Sequence, residues 1–103
     1  MSDYLEKVQK YAPDADADIV AGLEKRLAVV LRDRDSSLVS ASDQAELDRI
    51  ATGFAKKRLE LDREQADAGI KSVCEIMKGN RAKSRVTFYY LLAQETGTLD
   101  KLR

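Results

Sequence analysis

The fold turns on "KGNRAKSRVTFYYLLAQETG", Lys78 to Gly97. Lys78, Arg81, Lys83 and Arg85 run, with no acid between them, into Val86, Phe88, Tyr89, Tyr90, Leu91 and Leu92. At about 100° per residue from Val86, the residues Phe88, Tyr89, Tyr90, Leu92 and Ala93 share one arc about 200° wide. Thr87, Gln94 and Glu95 lie opposite, with Leu91 among them. So little polar surface predicts a central helix packed by several neighbours, or one partly covered by another subunit. The tyrosine hydroxyls then need hydrogen-bond partners or a route to water. Val86, Thr87, Phe88 and Tyr89 are also good strand formers, so a strand is the competing reading.

Working outward, four more helices precede this one. Tyr4, Leu5, Val8 and Tyr11 share a side of a first helix from Asp3 to Tyr11, with Ser2 placed to cap it and Pro13 beyond its end. Ile19, Val20, Leu23, Leu27, Val30 and Leu31 form the clearest amphipathic stripe, from about Ala17 to Arg32. The serine- and aspartate-rich stretch from Arg32 to Ser42 reads as a loop that tucks in Leu38 and Val39. Asp43 with Glu46 has capping-box spacing and opens a third helix carrying Leu47, Ile50, Ala51 and Phe54. Asp62 with Gln65 opens a fourth, with Ala66, Ile70, Val73, Cys74 and Met77 inward and Gly79 placed to end it. Gly22, Gly53 and Gly69 fall inside these helices, where each costs about 1 kcal/mol relative to alanine. Close helix approach accounts for one or two of them, and an early helix end is the other reading of Gly53.

The chain has 103 residues, no histidine and one cysteine. That size predicts one domain with one modest core. Lone Cys74 excludes an intrachain disulfide and a multi-cysteine zinc site, and favours a reducing compartment. Its place beside Val73 and Met77 reads as a buried structural thiol. The missing histidine removes Ser-His and Cys-His catalysis and histidine metal sites. "DADAD" (Asp14, Asp16, Asp18) begins like an EF-hand loop, but Ile19 stands where glycine is needed and Lys25 where the bidentate glutamate belongs. These acids instead suit the start of the second helix. There is no phosphate-cradling glycine loop, and no acid/base pair stands out. No apolar run approaches the roughly 20 residues of a bilayer span, and the N-terminus lacks signal-peptide character, so the expected place is the cytoplasm.

Basic and acidic residues balance at 18 each, which argues against a protein devoted to non-specific nucleic-acid binding. The halves differ: residues 1–55 hold 7 basic and 11 acidic side chains, residues 56–103 hold 11 and 7. Such polarity can pair the halves within one fold, steer a partner or align two copies. Lys78 suits the carboxyl end of the fourth helix. Arg81, Lys83 and Arg85, near the start of the last, could hold a phosphate, an RNA backbone or an acidic partner, or simply the protein's own carboxylates.

Three blocks carry a family resemblance: "MSDY" at Met1, "LRDRDSSLVSASD" from Leu31 and "KGNRAKSRVTFYYLLAQ" from Lys78. With them the chain resembles the bacterial domain of unknown function 2853 over nearly its whole length. The resemblance implies a bacterial source and brings no activity, cofactor or catalytic residue.

The expectation is an all-α single compact domain of about five helices around a hydrophobic C-terminal helix. Its expected role is non-enzymatic, without catalytic residues, metal or cofactor. It would be a protein-interaction or self-association module, with an unknown protein partner or as a homo-oligomer, using the apolar surface of the last helix or the charge polarity. The alternative is nucleic-acid or phosphate binding through Lys78, Arg81, Lys83 and Arg85, with Tyr89 or Tyr90 as a stacking group.

Overall fold

A computed structural model describes residues 3–33, 37–80 and 83–102. Ser2 and Arg81, singled out above, lie outside them. The chain folds as an all-α domain, and the described residues form six α-helices: α1 (Asp3–Gln9), α2 (Ala17–Arg26), α3 (Ala28–Leu31), α4 (Gln44–Ile50), α5 (Arg63–Ile76) and α6 (Arg85–Glu95). A π-helical turn, Ala51–Ala55, continues α4, and a 3-10 turn, Leu99–Leu102, follows α6.

The stretch around Phe88 is a helix, and it lies at the centre. Eight consecutive residues, Val86 to Ala93, are buried, because α1 and α2 pack on α6 together with α5 and the 3-10 turn. Thr87 and Leu91, which the projection sets opposite the apolar arc, are therefore as buried as Phe88, at 1%, 0% and 0% exposure. A helix apolar on every side has no free face to offer. The tyrosines keep their polar ends satisfied: the Tyr90 hydroxyl accepts the Asp16 amide at 2.9 Å, and the Tyr89 hydroxyl accepts Arg85 Nη1 at 3.0 Å. Among the described residues the one β pairing is an isolated bridge between Leu38 and Ser84. Two backbone bonds of 2.8 Å fasten that loop to the start of α6, Val39 N to Lys83 O and Arg85 N to Ser37 O.

Local chemistry explains the ends of the helices. Asp16, last but one of the "DADAD" acids, caps α2 by accepting from the amides of Asp18 and Ile19. Asp62 and Gln65 close a full capping box on α5, at 2.7 and 3.2 Å. Asp43 caps α4 by accepting from Ala45 N, while Glu46, expected to complete a box there, turns to Arg85 and Arg49. Gly97 ends α6 with φ +70°, a left-handed conformation that costs other residues more.

The predicted helix from Ala17 to Arg32 breaks at Leu27, where φ −97° and ψ 9° leave the helical basin. The β-branched pair Val29–Val30 gives the far side weak helix propensity. Of the three interior glycines only Gly69 answers to close approach. A Cβ there would sit 2.6 Å from Thr96 Cγ2 and 2.8 Å from Leu92 Cδ1, whereas Gly22 and Gly53 have nothing within 4 Å. Gly53 does not end its helix but lies inside the π turn. That turn presents Phe54 flat against Tyr89, ring centres 4.0 Å apart at 13°.

Candidate functional site

The basic turn divides. Lys78 and Lys83 line one open groove of about 450 Å³ with Val39, Ala41, Cys74 and Gly79. Lys83 Nζ there donates to the Asn80 carbonyl at 2.6 Å, and the groove's serine hydroxyls, Ser40 and Ser42, lie 3.4 Å from each other at the surface. Cys74 is half-buried rather than fully enclosed. Burial pushes its thiol above the ordinary value, with Lys83 pulling it down and Glu75 pushing it up.

Arg85 points elsewhere. Its guanidinium pairs with Glu46, donates to the Leu38 carbonyl at 3.2 Å and lies over the Tyr89 ring. The pair joins the basic C-terminal half to the acidic N-terminal half, with each side chain only 12% exposed. Tyr89, 8% exposed, has Phe54 against its ring, and Tyr90 is 2% exposed, so neither offers an open stacking face.

The more informative concavity opens on the other side of the turn. Lys7 of α1, Lys10 and Tyr11 just beyond it, Leu38, Met77, Asn80, Ser84 and Thr87 line a cavity of about 230 Å³. Asn80 Nδ2 donates to the Tyr11 hydroxyl at 2.9 Å, tying α1 to the turn. Ser84 is the N-cap residue of α6, yet its side chain makes no capping bond. Thr87 stands one turn further along. The two residues are 3% and 1% exposed, and neither hydroxyl has a hydrogen-bond partner among the described residues. An unpaired buried hydroxyl costs about 1–3 kcal/mol, and the two residues that carry these hydroxyls both line this one cavity.

The electrostatics have one sign. The cavity meets the start of an eleven-residue helix, where the helix dipole favours negative charge. Lys7 and Lys10 add cations, and no carboxylate is among the lining residues described. The lining thus combines hydroxyl-bearing side chains with two ammonium groups. Neither Ser84 nor Thr87 hydrogen-bonds a general base among the described residues.

Sequence reasoning missed Lys7, Lys10, Tyr11, Asn80, Ser84 and Thr87 as a set. Thr87, a polar residue in the first turn of an otherwise apolar helix, was the available signal.

A family model described as "Protein of unknown function (DUF2853)" matches residues 3–100. No curated protein matches the chain. Among the described residues no helix is long and apolar enough to cross a membrane, and no group of three potential metal-ligating side chains occurs.

Proposed function

The chain belongs to the DUF2853 family of proteins of unknown function, and from the geometry of its cavity we propose that it is a non-enzymatic domain that binds a small anionic ligand between α1 and the start of α6. The observation that carries this reading is the pair of buried, unpartnered hydroxyls, Ser84 and Thr87, in a cavity whose charged lining is wholly basic. It keeps the anion of the phosphate-binding alternative and moves it from Lys78, Arg81, Lys83 and Arg85 to Lys7, Lys10, Ser84 and Thr87.

Thermal melting tests it. An anion at ten times its dissociation constant adds about 1.4 kcal/mol to stability, which raises the melting temperature by roughly 6–10 °C in a domain of this size. Chloride at equal ionic strength controls for screening. The double variant Ser84→Ala, Thr87→Val is expected to be at least as stable as the parent without ligand, since it removes hydroxyls that have no partner. It should lose most of the anion-induced rise. A parent that no small anion stabilises, or a variant that responds equally, refutes the reading.

One feature favours the self-association reading: Val29 of α3 is 79% exposed, next to half-buried Val30 and Leu31. The occupant would be a second copy meeting α3 with its own α3, since the apolar faces of α6 are used within the chain. Sedimentation over a concentration series should then show a dimer that Val29→Glu abolishes. A monomer at every concentration removes this reading.

A further inference from the structure

We infer that the ligand is a small organic acid with a short apolar body, rather than a bare oxyanion. This deepens the proposed anion-binding reading and rests on it. The cavity's 230 Å³ exceeds the roughly 30 Å³ share of one water several-fold, so a single inorganic oxyanion would leave much of that space unfilled.

The lining is segregated in the same sense. Leu38 and Met77 supply apolar wall, and Met77 is 1% exposed. The donors are Ser84, Thr87, Tyr11 and Asn80, and the cations are Lys7 and Lys10. The acid group sits at the start of α6, where it takes the place of the capping acceptor that the Ser84 side chain does not provide. There it accepts from the hydroxyls of Ser84 and Thr87, which otherwise have no partner. Lys7 of α1 and Lys10 just beyond it neutralise the acid group. The apolar body lies against Leu38 and Met77, where its burial adds affinity that a bare oxyanion lacks.

Calorimetric titration of the full chain with hexanoate, benzoate, inorganic phosphate and the neutral isostere hexanamide tests this directly. The expected result is that hexanoate or benzoate binds at least tenfold more tightly than either phosphate or hexanamide. Lys7→Gln with Lys10→Gln, two exposed positions, should weaken carboxylate binding at least tenfold while lowering the melting temperature of the unliganded protein only slightly, through loss of the Lys7 contact with the Tyr4 ring. Phosphate binding as tightly as the carboxylates overturns the organic-acid inference and leaves the anion-binding reading standing. Hexanamide binding as tightly as hexanoate overturns both. Absence of binding by all four probes overturns both as well, and means that water alone satisfies Ser84 and Thr87.

Discussion

Leu91→Ala is expected to lower the unfolding free energy by about 2–5 kcal/mol and the melting temperature by roughly 10–30 °C. The residue stands on the side of α6 that a helical projection assigns to polar groups, and yet it is 0% exposed. A surface leucine would cost within about 0.5 kcal/mol on truncation, so the two pictures of α6 differ several-fold in this one number. Against a typical total of about 5–15 kcal/mol for a domain, the loss would leave the protein marginal. A small loss on denaturant titration would mean that α6 is covered on one side only and that its second face is available to a partner.

The second large effect lies at Glu46. Glu46→Ala leaves the half-buried Arg85 guanidinium without its carboxylate, and the expected cost is about 1–3 kcal/mol. Glu46→Gln keeps an acceptor and should cost less. The effect depends on pH in a defined sense. Burial pushes the Glu46 carboxyl up, but hydrogen bonds and charge from Arg85 and Arg49 outweigh it and hold the group below its ordinary 4.5. A carboxylate with a depressed folded value contributes stability that is fully present above the ordinary value and is lost as pH falls through the lowered one. Parent and Glu46→Ala should therefore differ most above about pH 5, and their stabilities should converge on acidification below the ordinary value. Asp48, lowered by its hydrogen bond from Gln44 and by Arg63, and Glu60, lowered by Lys101, are solvent-screened and present in both proteins. The difference between the two curves therefore isolates Glu46. Curves that stay parallel through the acid range would show that the pair contributes packing and no charge-dependent stability.

Much of the framework was legible locally. Asp62 and Gln65 announced the start of α5, the stripe Ala66, Ile70, Val73 and Met77 announced its buried face, and Gly97 announced the end of α6. These features depend on residues within one or two turns of each other, which is the range over which spacing carries information. The break at Leu27 and the π turn at Ala51–Ala55 were not legible, because both adjust a helix to its neighbours while leaving the apolar period nearly intact. Thr87 and Leu91 show the same limit: a projection ranks the sides of a helix but cannot say that every side is covered.

The candidate site was the least legible part, for a physical reason. The cations that draw the eye, Lys78 to Arg85, are adjacent in sequence but point to different surroundings once α6 is placed, Lys83 toward the Cys74 groove and Arg85 toward Glu46. The cations that share a cavity with unpartnered hydroxyls come from α1 and the turn after it, more than seventy residues before Ser84. Lys7 and Lys10 look like ordinary solvated positions of an amphipathic helix until the turn carrying Asn80 and Ser84 is folded against them.

The most direct test of the central claim is an amide chemical-shift map of the protein titrated with hexanoate. The largest shifts are predicted at Lys7, Lys10, Tyr11, Asn80, Ser84 and Thr87, and the amides around Lys78 and Cys74 should stay in place. Shifts centred on Cys74, Lys78 and Lys83, or spread evenly over the surface lysines, would contradict an anion site between α1 and the start of α6.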